Sequence, residues 1–289
     1  MLSEADTLQR FLLDDTPVRG ELVHLDETWK AMSSCADYPP VVKQLLGETV
    51  AAVALLAATI KFNGQLIVQV RGDGPINLLV VHAESDGAMR GIANWEGEIA
   101  SANPKQAFGD AQLVITIEPD EGEPYQGIVP LEGDSISEVI EYYFQQSEQL
   151  NTRLWISVTD EAIGGLLLQE LPNDDRGGDA WSSAELLANT IKDDELINLS
   201  SNDILHRLYH EYDVRTFDKE SIFFRCTCSA ERMHGIVKSL GEAEVRDILQ
   251  EQGKVQIDCH FCNSQYRYDA IEIEMMFNDS VQPSSDTPQ

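Results

Sequence analysis

Four cysteines in two close pairs carry the chemistry of this sequence. They are Cys226-Thr227-Cys228 and Cys259-His260-Phe261-Cys262, with thirty residues between the pairs. Brought together by a compact fold, they offer four thiolates, the donor set that tetrahedral zinc takes at structural sites. Four sulfurs leave no open coordination position, so a zinc enzyme is the weaker reading. The segment that holds them, residues 226–277, is about fifty residues long and buries too little surface to be stable unaided. Bound zinc contributes roughly 10–16 kcal/mol of apparent free energy in such modules, and that energy is folding energy. Loss of the metal is expected to unfold the module.

The same sulfurs have a second chemistry, because thiolates that bind zinc can instead be oxidised to disulfides. Cys259 and Cys262 have the spacing of an ordinary CxxC disulfide. Cys226 and Cys228 can close only a tight ring, and strained disulfides are the labile, regulatory kind. The residues describe a two-state switch. Reduced and zinc-bound, the module is folded and supports its neighbours; oxidised and zinc-free, it melts. A thiol oxidoreductase built on CHFC is a competing reading. Such motifs open a helix, however, whereas VQIDCHFCNSQYRY has strand-like flanks.

The elements that must position these sulfurs follow from the rest of the chain. Strands are expected over Gln65–Arg71, Ile76–Ala83, Gln112–Glu118, Thr152–Val158 and Gly164–Gln169, from their Val, Ile and Leu content and the turn chemistry between them. Val41–Lys61 reads as a buried apolar helix. Ser135–Leu150 reads as a helix with Ser135 and Glu138 at capping-box spacing. Strands and helices interleave without clean alternation, which predicts an α+β fold. Pro172–Gly178 (PNDDRGG) marks a boundary. Two helices are expected beyond it, one from about Ser182 and one after Ser200. In the second, Leu205, Leu208, Tyr209 and Tyr212 form an apolar stripe at helical spacing. So short a helix is marginal alone and needs a surface to lie on. The predicted organisation is an α+β core domain over 1–172, a metastable helical linker over 173–225, a four-cysteine zinc redox-switch domain over 226–277 and a disordered tail over 278–289.

Composition narrows the function. The 289 residues include 50 Asp plus Glu against 20 Lys plus Arg, a formal net charge of -30. That argues against a zinc module that binds nucleic acid, and against docking on an anionic membrane, because both depend on basic side chains. The longest apolar run, Val50–Ala58, falls short of the roughly 18 residues of a spanning helix. The acidic N-terminus is no signal peptide, so a reducing cytoplasm is expected, where structural disulfides are rare. No GxxxxGK phosphate loop is present. Cys35 is expected in the core. His206 and His210 belong to a solvated helix face, Gly72-Asp73-Gly74-Pro75 to a hairpin turn, and Glu118, Asp120, Glu121 and Glu123 to a solvated loop.

At this point the chain resembles the bacterial redox-regulated chaperones, the thirty-three-kilodalton heat-shock proteins. CTCSAER and CHFC resemble that family's zinc motif. YPPVVKQLLGETVAAVALLAATIKFNGQL, QVRGDGP, YQGIVPLEGDSISEVIEYYFQQSEQL, GGLLLQELP and VRTFDKESIFFRCTCS look like family stretches, and the match runs to about Phe277. Asn151 stands where the family is expected to have Pro; Asn also suits a turn. The resemblance implies a holdase, not an enzyme, that needs no ATP and is inactive while reduced and zinc-bound. It implies Cys226, Cys228, Cys259 and Cys262 as zinc ligands, and Cys226–Cys228 and Cys259–Cys262 as the disulfides of the oxidised form. It further implies release of zinc, unfolding of linker and switch domain, capture of unfolding client proteins by a homodimer, and transfer of clients to ATP-dependent chaperones.

Overall fold

The computed structural model describes residues 6–60, 63–172 and 179–278. The chain divides into two compact units, Met1–Arg225 and Cys226–Gln289. In chain order the first contains β1 (Thr7–Leu13), β2 (Val18–Leu25), α1 (Glu27–Ser33), α2 (Pro40–Thr59), β3 (Gly64–Arg71), β4 (Ile76–Glu84), β5 (Ala88–Trp95), α3 (Pro104–Phe108), β6 (Gln112–Pro119), β7 (Tyr125–Pro130), α4 (Ile136–Tyr143), β8 (Thr152–Val158) and β9 (Ile163–Glu170). It continues through α5 (Ala180–Ala188), α6 (Asp193–Asn198), α7 (Ser201–Tyr209), β10 (Val214–Thr216), β11 (Glu220–Ser221) and β12 (Phe223–Phe224). The second unit holds α8 (Ala230–Leu240), α9 (Glu242–Gln252), β13 (Val255–Asp258), β14 (Gln265–Tyr268) and α10 (Ala270–Asn278).

The first unit is α+β, as expected. One sheet has the order β10-β1-β2-β9-β8 with β11 also on β1; the other has the order β12-β5-β4-β3-β6-β7. All pairings are antiparallel except β12 with β5. Helix α2 packs against strands of both sheets. Pro40 starts it, where a missing N–H costs nothing. Val42, Leu45, Leu46, Val50, Val53 and Leu56 are fully buried around it, and a helix apolar on all sides must be buried. This helix corrects the reading of the apolar runs: by length and composition it suffices to cross a membrane. An uninterrupted run stops at each polar residue, whereas a helix averages over Glu48 and Thr49. In this fold most of the helix is buried in protein.

The linker helices cover one face of the first sheet. Phe11 and Leu13 of β1, Val18 and Leu22 of β2, and Leu166 and Leu168 of β9 pack against Ala184, Ala188, Leu196, Ile204, Leu205, Leu208 and Tyr209. The alternate residues Leu8, Val23, Leu25 and Leu167 join the α2 core on the opposite face. Strand β9 is therefore buried on both sides and reads as a continuous apolar run rather than an alternating one. The surface on which the Leu205, Leu208 and Tyr209 stripe lies is this sheet, and the Tyr209 hydroxyl donates to the Ala184 carbonyl at 3.2 Å. Tyr212 lies past the end of α7 and packs on the same cluster. Arg153 of β8 bridges Glu141 of α4 at 2.8 Å and Glu185 of α5 at 2.6 Å.

Several expectations need correction. Helix α5 begins at Ala180, two residues before Ser182. A third linker helix, α6, was not expected. The α4 segment ends its regular turns at Tyr143, and Phe144–Glu148 forms a π turn closed by Gln149 in the left-handed region. Its cap holds: Ser135 accepts from the Glu138 N–H at 3.2 Å, while the Glu138 carboxylate accepts from the Asp134 N–H at 2.7 Å. Cys35 is half-buried at the end of α1, not in the core, because its short side chain turns back to the Ala31 carbonyl at 3.1 Å. Gly72–Pro75 does join β3 to β4, and a Cβ at Gly72 would stand 2.0 Å from the Phe108 carbonyl oxygen. Of the Pro172–Gly178 boundary, residues 173–178 lie outside the described residues, as do 279–289 of the tail expected over 278–289; its first residue, Asn278, instead ends α10.

Glu21, in the middle of β2, is 1% exposed and its Oε2 has no hydrogen-bond partner among the described residues. Burial pushes its carboxyl from 4.5 up to about 7, against the opposing pull of the Arg19 and Arg10 charges.

Candidate metal centre

The second unit is small, and its apolar core is correspondingly thin: Met233, Val237, Val245, Val255, Tyr268, Ile273 and Met276. The first sulfur pair sits in the extended stretch ahead of α8, whose N-cap Ser229 accepts from the Arg232 N–H. The second pair forms the turn between β13 and β14. There the Cys259 N–H donates to the Ser264 carbonyl at 2.9 Å and the Asn263 N–H to the Cys259 carbonyl at 2.7 Å. Asn263 takes a positive φ of 57°, which Asn tolerates better than most residues. CHFC is thus a knuckle on a hairpin, with strands on both sides. It does not open a helix, which removes the geometry of a thioredoxin-like active site.

All four sulfurs converge within 4.8 Å of one another. Cys226 and Cys259 are 3.6 Å apart and Cys228 and Cys262 are 3.3 Å apart. Four sulfurs held at about 2.3 Å from one tetrahedral ion stand about 3.8 Å from each other. The donor set and its spacing therefore fit such an ion, and the four residues named from the sequence are the four that the fold assembles. His260, although inside the motif, is exposed and is not among them. His206 and His210 lie on the exposed face of α7 in the first unit, their rings 6.0 Å apart.

Burial pushes the Cys226 and Cys259 thiols above their ordinary range. Burial acts the same way on Cys262, but hydrogen bonds with the Ser264 side chain and backbone and with neighbouring thiols bring it down to about 7. Four thiolates packed this closely need a cation to offset their mutual repulsion. Two residues that the sequence reading passed over support them. The Tyr266 hydroxyl donates to the Cys228 sulfur at 3.1 Å, and Ser264 Oγ lies 3.1 Å from the Cys262 sulfur. Partners behind metal ligands fix ligand orientation and basicity. Their signal in the sequence was only a hydroxyl and an aromatic residue a few positions past CHFC.

The profile of the Hsp33 protein family matches residues 6–269. The chain belongs to the Hsp33 family. It is 44% identical over 285 residues to the 33 kDa chaperonin of Shewanella denitrificans, covering 98% of this chain and 99% of that one. It is 41% identical over 280 residues to the 33 kDa chaperonin of Nitrosococcus oceani, with 97% of each chain covered. The crystal structure of the 33 kDa chaperonin (heat shock protein 33 homolog) from Thermotoga maritima superposes with a TM-score of 0.80. That match covers 95% of this chain and 99% of the other at 22% identity, which is a likeness of fold. The chain is accordingly a chaperone of the Hsp33 type, and the four cysteines form its candidate metal centre.

Proposed function

We propose that this chain is a redox-regulated, ATP-independent holdase that keeps unfolding client proteins from aggregating, and that it works without enzymatic turnover in the cytoplasm. The observation that carries the reading is the linker cover. Phe11, Leu13, Leu22, Leu166 and Leu168 form an apolar face on the sheet, and among the described residues its cover is mainly the three short linker helices with the turns that join them. Helices of six to nine residues have little stability of their own. Removing them bares an apolar face, and contiguous exposed apolar surface is what a client's own apolar segments bury against.

The sulfurs set when that happens. Zinc, when bound, supplies a crosslink among Cys226, Cys228, Cys259 and Cys262 whose binding free energy holds the second unit folded. A peroxide-class oxidant takes two electrons from each pair of thiolates. One S–S bond forms per pair, and the peroxide O–O bond is cleaved to water with two protons taken up. The pairs are Cys226–Cys228 and Cys259–Cys262. The nearest sulfurs in the folded unit are instead the cross pairs, Cys226 with Cys259 and Cys228 with Cys262. Neighbours in sequence stay at high effective concentration once the unit loosens, whereas cross pairs more than thirty residues apart do not. The thiolates lost to disulfides no longer hold the ion, the unit unfolds, and the linker comes off the sheet. The oxidised chains act as homodimers and pass clients to ATP-dependent chaperones.

An aggregation assay on a thermally unfolding client, without nucleotide, tests the reading. Oxidised, metal-free protein is expected to suppress light scattering near stoichiometric amounts, and reduced, metal-loaded protein to leave it unchanged. Equal protection by both forms refutes the switch. Peptide mapping of the oxidised chain checks the pairing.

A further inference from the structure

Strand β1 is a well-made strand with a poorly made cover. Leu8, Gln9, Phe11 and Leu13 are buried, and β2 pairs with β1 from Thr7 to Leu13. On the other side lie short pieces of the linker. Strand β10 pairs Val214, Arg215 and Thr216 with Leu13, Leu12 and Phe11. Strand β11 pairs Glu220 and Ser221 with Leu8 and Thr7. At the join, the Phe217 N–H donates to the Arg10 carbonyl at 3.0 Å, and the Asp14 N–H donates to the Asp213 carbonyl at 2.9 Å. Every residue from Arg215 to Ser221 is exposed. The two ion pairs across the seam, Arg10 with Glu220 and Arg215 with Asp14, join partly exposed groups, and such pairs hold weakly. Backbone hydrogen bonds are the main grip of this cover, and any extended polypeptide carries the same backbone.

We propose that β1 is a client-capture edge: an extended segment of an unfolding protein adds to the sheet as a strand in the place that β10 and β11 hold at rest. The inference rests on the holdase reading, since it requires the linker to leave. Strand alternation turns the backbone groups of Leu8, Arg10, Leu12 and Asp14 toward the cover, as the Arg10 carbonyl and Asp14 N–H bonds show. Pairing through these groups is indifferent to client sequence, and the adjoining Phe11, Leu13 and Leu22 face receives alternate apolar side chains. An uncovered edge strand is a template for pairing with another chain, and here the resting chain occupies its own template. The opposite edge of the sheet is different: on β8 the Leu154 N–H is taken at 2.8 Å by the Glu141 carboxylate of α4.

Hydrogen–deuterium exchange on the full chain tests this, with reduced, carboxymethylated lactalbumin as a soluble unfolded probe. Anisotropy of the labelled probe reports binding independently. The amides of Leu8, Arg10, Leu12 and Asp14 are expected to be protected in the reduced, metal-loaded chain and to exchange at least about tenfold faster after oxidation, while those of Gln9, Phe11 and Leu13, which face β2, stay protected. The first four regain protection when the probe binds. Probe binding without renewed protection there overturns the capture edge and leaves the holdase reading intact. No probe binding by the oxidised chain overturns both. Leu12→Pro deletes one N–H on the cover side and none on the β2 side. If circular dichroism shows it folded, its oxidised form is expected to bind the probe several-fold more weakly than Leu12→Ala; equal binding counts against the proposal.

Discussion

A Cβ at Gly164 would stand 2.2 Å from the carbonyl oxygen of Leu196. Strand β9 and linker helix α6 approach backbone to backbone, which only glycine allows. Gly164→Ala should lift α6 at a cost of about 1–3 kcal/mol. In the reduced, metal-loaded protein, limited proteolysis between Ala180 and Tyr209 is expected to speed up, with partial suppression of client aggregation before any oxidant is added. A linker as protease-resistant as the wild type's would mean that this contact does not hold α6.

Gly235 offers the opposite case. It lies inside α8 with nothing within 4 Å of its missing Cβ. Alanine there is worth about 1 kcal/mol of helix stability. Where metal binding and folding are coupled, that gain appears as affinity, so Gly235→Ala should tighten metal binding roughly fivefold in a chelator competition. Unchanged affinity would indicate that the second unit folds without its ion.

Tyr266→Phe keeps the ring and deletes the hydroxyl that reaches the Cys228 sulfur at 3.1 Å. Loss of a partner behind a metal ligand commonly costs about 10–100-fold in affinity. The variant is expected to lose metal at lower chelator concentrations and to react sooner with peroxide, with unit one unaltered by circular dichroism. Wild-type retention of metal would reduce Tyr266 to packing.

Glu21 predicts a pH dependence. Its folded-state carboxyl titrates at about 7 rather than 4.5 because burial disfavours the charge. The folded state thus binds the proton more tightly than the unfolded state. The stabilisation is complete below about pH 4.5 and is lost as pH rises through about 7, a change of about 3 kcal/mol. Thermal unfolding of the first unit should show this decline between pH 5 and 8, and Glu21→Gln should flatten it. Parallel curves for the two proteins would rule Glu21 out as its source.

What the sequence disclosed depended on how many faces of each element are buried and by what. Helix α2, strands β3, β4, β6, β8 and β9, and the capped helices α4 and α7 were all legible, because apolar runs and Ser caps mark them. Strands β1 and β2 were not. One face of each meets α2 and the other meets the linker, so alternation is absent, and the buried Glu21 interrupts what remains. Strand β5 was hidden by Arg90, which is 8% exposed and pairs with Glu84 at 3.1 Å. Strand β7 is an edge with exposed Tyr125 and Ile128. The four cysteines needed no such pattern, since ligand chemistry is written in residue type and spacing. Tyr266 was illegible because a tyrosine four residues past a cysteine has many other uses.

Arg225 pairs with Asp86 at 2.7 Å and Glu84 at 2.6 Å, and β12 beside it is stitched to β5. It is the last residue before the first sulfur ligand. While this contact holds, residues 179–222 are tethered at both ends, so the linker release proposed above would free a hoop, not a streamer. A hoop surrenders less disorder on landing than a free tail would, and it finds its own seat without diffusing. On the proposed release, re-covering the sheet would be a first-order event whose rate does not depend on how concentrated the protein is.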